Sequence, residues 1–98
     1  MTLEVRIRAA AQRDVEDAST WYEQRQLGLG TRFLGELAAT YSRIAETPLL
    51  YRKLHRETRR VFLRSFPFAV YFRVVGDTAV VVAIMHASRD PLSWKSRT

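Results

Sequence analysis

The sequence predicts an α+β fold of two layers, with an N-terminal helical hairpin packed on a small, mainly antiparallel sheet. Two observations support this fold class. After one short alternating segment, the apolar residues of the first half recur at helical spacing, whereas those of the second half alternate or run together as in strands. The order of elements is therefore β-α-α-β-β-β, and 98 residues fit a single domain spanning residues 1–98.

The first element is a short strand. Residues 3–8 place apolar side chains on one face and charged ones on the other, which is typical of a half-buried strand at a sheet edge.

Two helices follow this strand. The first is predicted from Ala9 to about Gln26, with Asp14, Glu16 and Asp17 near its positive end. Its apolar side comprises Ala11, Val15, Ala18 and Tyr22. Gly28 ends it, and the short connection favours an antiparallel helical hairpin.

The second helix ends at Thr47, because a residue before proline avoids helical geometry. Its predicted apolar stripe comprises Phe33, Leu34, Leu37, Tyr41, Ile44 and Ala45. Because some of this surface should serve a partner, we also expect an exposed apolar patch along the hairpin.

The second half consists of short strands. Residues 50–58 show no clear period and are interpreted as an irregular connection, whereas residues 59–64 alternate. A strand over 68–75 is joined by a hairpin turn to a buried strand over 79–87, which we expect to be central with both faces covered. On that last strand, strict alternation puts His86 in line with Val80, Val82 and Ile84.

The predicted strands have two different faces. Their apolar sides should meet the helices. Their other sides should bring four side chains together on a basic, partly aromatic face, namely Arg60, Arg64, Tyr71 and Arg73.

Charge is concentrated in the second half. Residues 1–49 hold six arginines and seven acids, whereas residues 50–98 hold ten basic residues and three acids, within a net charge of +6. Arginine binds phosphate and carboxylate in a forked geometry, so nucleic acid and an acidic protein segment are both possible partners. A solvated basic surface is the alternative interpretation.

Composition also limits the chemistry. The chain has no cysteine and only two histidines, which excludes thiol catalysis and disulfides and makes a metal centre or another cofactor unexpected. No stretch approaches a membrane span and the N-terminus does not have the pattern of a signal peptide, so we expect a cytoplasmic protein without membrane contact.

Several short motifs, in their order along the chain, resemble those of the RelE/ParE superfamily of toxins from type II toxin-antitoxin pairs, and of its ParE-like branch in particular. They are Trp21-Tyr22, residues 28–37 from Gly-Leu-Gly to Glu-Leu, Pro48 with Tyr51, Arg59-Arg60 with Phe62-Leu63, residues 66–73, and residues 86–91 followed by Trp94. The resemblance implies a growth-arresting toxin that associates with a cognate antitoxin, whose acidic C-terminal segment wraps the toxin in a hetero-oligomer. A relative that binds its antitoxin but is harmless is a further possibility.

One branch of this superfamily resembles ribosome-dependent endoribonucleases that cleave messenger RNA. Cleavage by a 2′-hydroxyl needs a base, an acid and cations for the phosphate. The candidates for these roles are His86, Arg64 and Arg89, with Arg60 and Arg73 as further phosphate ligands. A histidine ending an apolar strand is more often structural, and no tyrosine follows Tyr71, so these residues fit the ribonuclease branch poorly and none is assigned as catalytic.

The ParE-like branch implies a non-enzymatic poison of DNA gyrase. Such a protein needs a rigid surface with basic and aromatic contact residues. The contact candidates, for the target or the antitoxin, are Arg59, Arg60, Arg64, Arg73, Arg89, Trp94, Tyr22 and Tyr41. The tyrosines can equally be core residues and Arg89 a structural ion pair, while Asp90-Pro91 should form a turn that folds Trp94 back as an anchor.

Overall fold

The structure, a computed structural model, describes residues 2–88 and 93–97. Two helices pack on one face of a five-stranded mixed sheet, which confirms the predicted α+β class and the position of the helical hairpin. The elements are β1 (Glu4–Ile7), α1 (Ala9–Arg25), α2 (Leu29–Glu46), β2 (Lys53–His55), β3 (Thr58–Phe62), β4 (Phe68–Val75) and β5 (Thr78–His86), with short 3-10 helices at Pro48–Leu50 and Ser93–Arg97.

The strand order is β1-β5-β4-β3-β2. Strand β1 lies at an edge, as predicted, and pairs with β5 in parallel, whereas the other pairs are antiparallel. Strand β2 was not predicted, because only three residues pair and the register shifts between Lys53 and His55. This short strand places His55 at the edge of the sheet.

The main core lies between the sheet and the helices. Phe33 and Ile44 of α2 are fully buried against residues such as Val70 and Phe72 of β4. The prediction for Leu34 was wrong, because its side chain is 44% exposed. Thr40 is fully buried, so the buried face of α2 includes Thr40 and leaves out Leu34. The Thr40 hydroxyl donates to the carbonyl oxygen of Glu36 at 2.9 Å, which satisfies this buried polar group.

Glu23 of α1 and Gly28 stabilise the short connection between the helices. Gly28 has a φ of 88°, which glycine adopts without steric cost. The Glu23 carboxylate accepts hydrogen bonds from the backbone N–H groups of Gly28 at 2.8 Å and Gly30 at 3.0 Å. These bonds satisfy backbone donors that the start of α2 leaves unpaired.

Strand β5 contains a bulge that changes which face its side chains occupy. Tyr71 pairs with Ala83 and Phe72 with Val81, so Val82 is the additional residue on β5. Val81 and Ile84 consequently share the helix-facing core, whereas Val82 lies in a second buried cluster on the opposite face. The predicted alignment of His86 with Val80 and Val82 was therefore wrong, although His86 does share a face with Ile84.

The second cluster covers the sheet face that lies away from the helices. Trp94, 4% exposed, stacks on Tyr71 with ring centroids 4.9 Å apart and planes 11° from parallel. This stacking confirms the prediction that Trp94 folds back as an anchor. The predicted turn at Asp90-Pro91 lies outside the described residues.

Candidate functional site

A concave feature lies between α1 and the end of β5, and we call it the α1–β5 groove. Its volume is about 870 Å³. It is lined by Asp14, Asp17, Ala18, Trp21, Tyr22, Pro67, Phe68, Ile84, Met85, His86, Ser93 and Arg97. The α1 residues among these recur at spacings of three and four, so one face of the helix forms a wall.

Asp14 and Arg97 close the tail end of the groove. Arg97 donates two hydrogen bonds to the Asp14 carboxylate, at 2.5 and 3.2 Å, and a third to the Val82 carbonyl oxygen at 3.2 Å. Asp14 also accepts a hydrogen bond from the Ile84 N–H at 3.0 Å. The expected role of Asp14 at the helix start is thus wrong: it lies beyond the first turn and joins α1 to β5 and the tail.

Aromatic side chains form the opposite end. Trp21 is 44% exposed, and the Arg25 guanidinium carbon lies 4.2 Å from its ring centroid. The Tyr22 ring packs against Phe66 and Phe68, with centroids 4.8 and 6.0 Å away. Leu27 and Leu34 of the hairpin are also exposed, outside the groove, and an apolar patch that joins them to Trp21 remains a prediction.

His86 belongs to the groove and not to the basic sheet face. Its ring centroid lies 5.5 Å from that of Phe68 in an edge-to-face arrangement, and its Nδ1 accepts a hydrogen bond from the Ser88 N–H at 3.3 Å. Arg60 and Arg73 lie on the other side of the sheet, because they flank Tyr71 of the second cluster in the strand register. The sheet thus separates His86 from both arginines.

The sheet face that carries Arg60 differs from the predicted aromatic surface. Tyr71 is only 1% exposed under Trp94, so the expectation of an accessible tyrosine here was wrong. Phe62 is 49% exposed instead, and the Arg60 guanidinium carbon lies 4.6 Å from its ring centroid. Arg64, just beyond β3, is exposed.

Arg73 is half-buried and pairs across the strands with Thr58. The Arg73 Nε and the Thr58 hydroxyl are both buried, and neither has a hydrogen-bond partner among the described residues.

His55 also lies on this face, although no pattern in the sequence predicted its position. Its ring centroid is 6.1 Å from that of Trp94. The short strand β2 positions it there, whereas residues 50–58 were expected to be irregular. Within residues 2–88 and 93–97, no group of three histidine or acidic side chains could hold a metal ion.

Two of the remaining contact candidates, Arg59 and Tyr41, make contacts within the fold or are buried in it. Arg59 donates a hydrogen bond to the Tyr51 carbonyl oxygen at 2.7 Å and so holds the segment after α2 against β3. Burial raises the pKa of the Tyr41 phenol well above its usual range, and its hydroxyl has no hydrogen-bond partner in the described part of the chain. Arg89 lies outside the described residues.

Two helices on one face of a small mixed sheet define an α+β fold of the RelE/ParE type. The chain belongs to the family described as the ParE toxin of the type II toxin-antitoxin system parDE, whose model matches residues 5–91. It is accordingly a toxin of the type II toxin-antitoxin class.

Solved structures share this fold. The chromosomal ParDE system of P. aeruginosa contains a chain that matches with a TM-score of 0.75 and 16% identity, over 87% of this chain and 96% of that one. The toxin-antitoxin complex RelBE2 of Mycobacterium tuberculosis matches at 0.61 and 16%, over 88% and 99% of the two chains.

A mutant of the E. coli toxin RelE in the free state matches with a TM-score of 0.64 and 12% identity, over 99% of this chain and 94% of that one. No curated protein matches this sequence. In the described part of the chain, neither helix has the length and apolar character needed to cross a membrane.

Proposed function

We propose that this chain is a ParE-like toxin that inhibits DNA gyrase by binding rather than by catalysis, and that a cognate antitoxin neutralises it. Membership of the ParE toxin family supports the proposal. The position of His86 is the structural observation that carries it, because the histidine that the sequence offered as a proton shuttle lines the helix-side groove while Arg60 and Arg73 lie across the sheet.

This separation argues against the expected ribonuclease arrangement. Cleavage of RNA by its 2′-hydroxyl requires a base, an acid and cations at one phosphate. A phosphate held by Arg60 or Arg73 would be on the opposite side of the sheet from the His86 ring. A poison that acts by docking needs only a rigid surface with suitable contacts, such as the half-buried Arg60 beside the exposed ring of Phe62.

We further propose that the antitoxin places an acidic C-terminal segment against the basic sheet face and forms a hetero-oligomer with the toxin in the cytoplasm. Arg60 and exposed Arg64 would pair with its carboxylates there. The antitoxin partner is supported by the family and by the toxin-antitoxin systems that share the fold. Such a segment would become ordered on binding.

A gyrase cleavage assay tests the target. Purified toxin, gyrase and supercoiled plasmid should give cleaved DNA bound to gyrase, and Arg60→Ala with Arg64→Ala should reduce its amount several-fold. Arg32→Ala is the matched control, because Arg32 is exposed like Arg64 but lies on α2. Absence of cleavage complexes at toxin concentrations that arrest growth would overturn the gyrase proposal.

One observation favours a second candidate, the ribosome-dependent endoribonuclease. His55 lies on the same sheet face as Arg60 and Arg73, so it could supply the proton transfer that His86 cannot. Ribosome toeprinting separates the two functions. Codon-specific cuts that disappear in His55→Ala but persist in His86→Ala would establish the endoribonuclease.

A further inference from the structure

We propose that the α1–β5 groove binds a segment of the antitoxin in which an apolar anchor is accompanied by a lysine or arginine directed at Asp17. The segment would thus be basic at the groove, although the part of the antitoxin that reaches the arginines is acidic. This inference rests on the antitoxin partnership proposed above, and it concerns a different surface from the basic sheet face.

The lining of the groove suits an apolar anchor. Its volume of about 870 Å³ falls within the range of roughly 300–1,000 Å³ typical of binding pockets. Ala18, Phe68 and Ile84 provide buried apolar surface, and the partly exposed Trp21 stands at the side. Partly exposed tryptophans beside apolar pockets are frequent energetic centres of protein interfaces.

The charges of the groove select a cation. Among residues 2–88 and 93–97, the acidic and basic side chains that line it are Asp14, Asp17 and Arg97 beside His86, and Arg97 is already bound to Asp14. Asp17 has no hydrogen bond or ion pair with any described residue, including Arg13 one turn before it. Arg25 stacks on Trp21 but does not line the groove.

The groove is therefore locally acidic on a protein of net charge +6. An aspartate or glutamate of the partner would be repelled by Asp17, whereas a lysine or arginine would pair with it. Because the groove and the basic sheet face present opposite charges, the antitoxin must carry a basic residue at the groove and acidic residues at the basic sheet face. Such a change specifies both the register and the direction of the bound segment.

Selection from a library of synthetic random peptides tests the proposal, using the full chain as bait. Wild type should enrich peptides that have Leu, Phe or Trp at a fixed spacing from Lys or Arg. Asp17→Lys should instead enrich Asp or Glu at that position, and should weaken the wild-type peptides roughly three- to tenfold. Glu16→Lys is the matched control, since Glu16 is exposed on the same helix but does not line the groove, and it should select the same peptides as wild type.

Trp21→Ala, with its fold verified by circular dichroism, should lose these peptides. The proposal would be overturned if wild type enriched acidic residues or enriched nothing. It would also be overturned if Asp17→Lys kept the wild-type preference, or if the peptides still bound Trp21→Ala. So would a dimer of the free toxin that dissociates in Asp17→Lys, because a second copy would then be the occupant. If peptide selection succeeds while the gyrase assay fails, the proposed target is wrong and the groove assignment still holds.

Discussion

Asp14 and Arg97, 83 positions apart in the chain, are joined by two hydrogen bonds that tie the C-terminal tail to the first helix. The pair is only partly exposed, with side-chain exposures of 18% and 27%. It also satisfies backbone groups beside the β5 bulge, since Asp14 accepts from Ile84 and Arg97 donates to Val82. The tail is therefore a component of the sheet edge and of the groove.

Arg97→Ala should lower the free energy of unfolding by about 1.5–3 kcal/mol, because Asp14 and the Val82 carbonyl oxygen both lose a charged donor. Urea unfolding measures this change. Arg6→Ala is the control and should cost less than about 1 kcal/mol, because its ion pair with Glu4 is exposed. Equal effects of the two substitutions would show that the contact between Arg97 and Asp14 stabilises the fold no more than an exposed ion pair does.

Trp94→Ala should destabilise the protein by about 3–5 kcal/mol, since it removes a buried ring that covers Tyr71. A thermal or urea melt gives the loss. Fluorescence provides a second test in a Trp21→Phe background, where Trp94 is the remaining tryptophan. Its emission should be blue-shifted and poorly quenched by iodide, and a solvent-like spectrum would contradict the stacked arrangement.

Two glycines of α2 should respond to alanine in opposite ways. At Gly30 a Cβ would lie 2.6 Å from the Ser19 carbonyl oxygen, so Gly30→Ala should cost about 1–3 kcal/mol by forcing the helices apart. At Gly35 a Cβ meets nothing within 4 Å, so Gly35→Ala should stabilise by about 0.5–1 kcal/mol. Paired urea titrations measure both values, and tolerance of alanine at Gly30 would refute the close helix contact.

Tyr41→Phe should preserve or increase stability at neutral pH, by up to about 1 kcal/mol, because it deletes a buried hydroxyl without a described partner. Burial raises the pKa of this phenol above the unfolded value of about 10. The unfolded state therefore loses the proton first, and stability falls as the pH rises from about 10 towards the higher folded pKa. Wild type should therefore lose more stability than Tyr41→Phe between pH 7 and pH 11 in urea unfolding. Parallel losses in the two proteins would contradict the assignment.

Much of the fold follows from local patterns in the sequence. The helical stripe containing Phe33 and Ile44 and the alternation that buries Val70 and Phe72 are determined by spacing alone, and both elements were predicted correctly. Leu34 was placed on the wrong side because a buried threonine, whose hydroxyl bonds within the helix, occupies the stripe instead.

The candidate site was less predictable. The bulge at Val82 changes which face of the sheet the following side chains occupy, so His86 does not share a face with Val82. No residue in this run of small and β-branched side chains indicates the bulge. The link between Asp14 and Arg97 spans nearly the whole chain, so no local period reports it. The spacing of Asp14, Asp17 and Trp21 on α1 was visible in the sequence, but it identifies a groove wall only once the position of β5 is known.

The parallel pairing of β1 with β5 has a consequence for biosynthesis. The first strand can be paired only after the last strand has been made, since Glu4 pairs with Thr78 and Ile7 with Val81. A chain still growing on its ribosome consequently cannot complete the sheet, and long-range parallel pairing of this kind forms slowly. Each new copy thus stays incompletely folded until β5 has emerged from the ribosome.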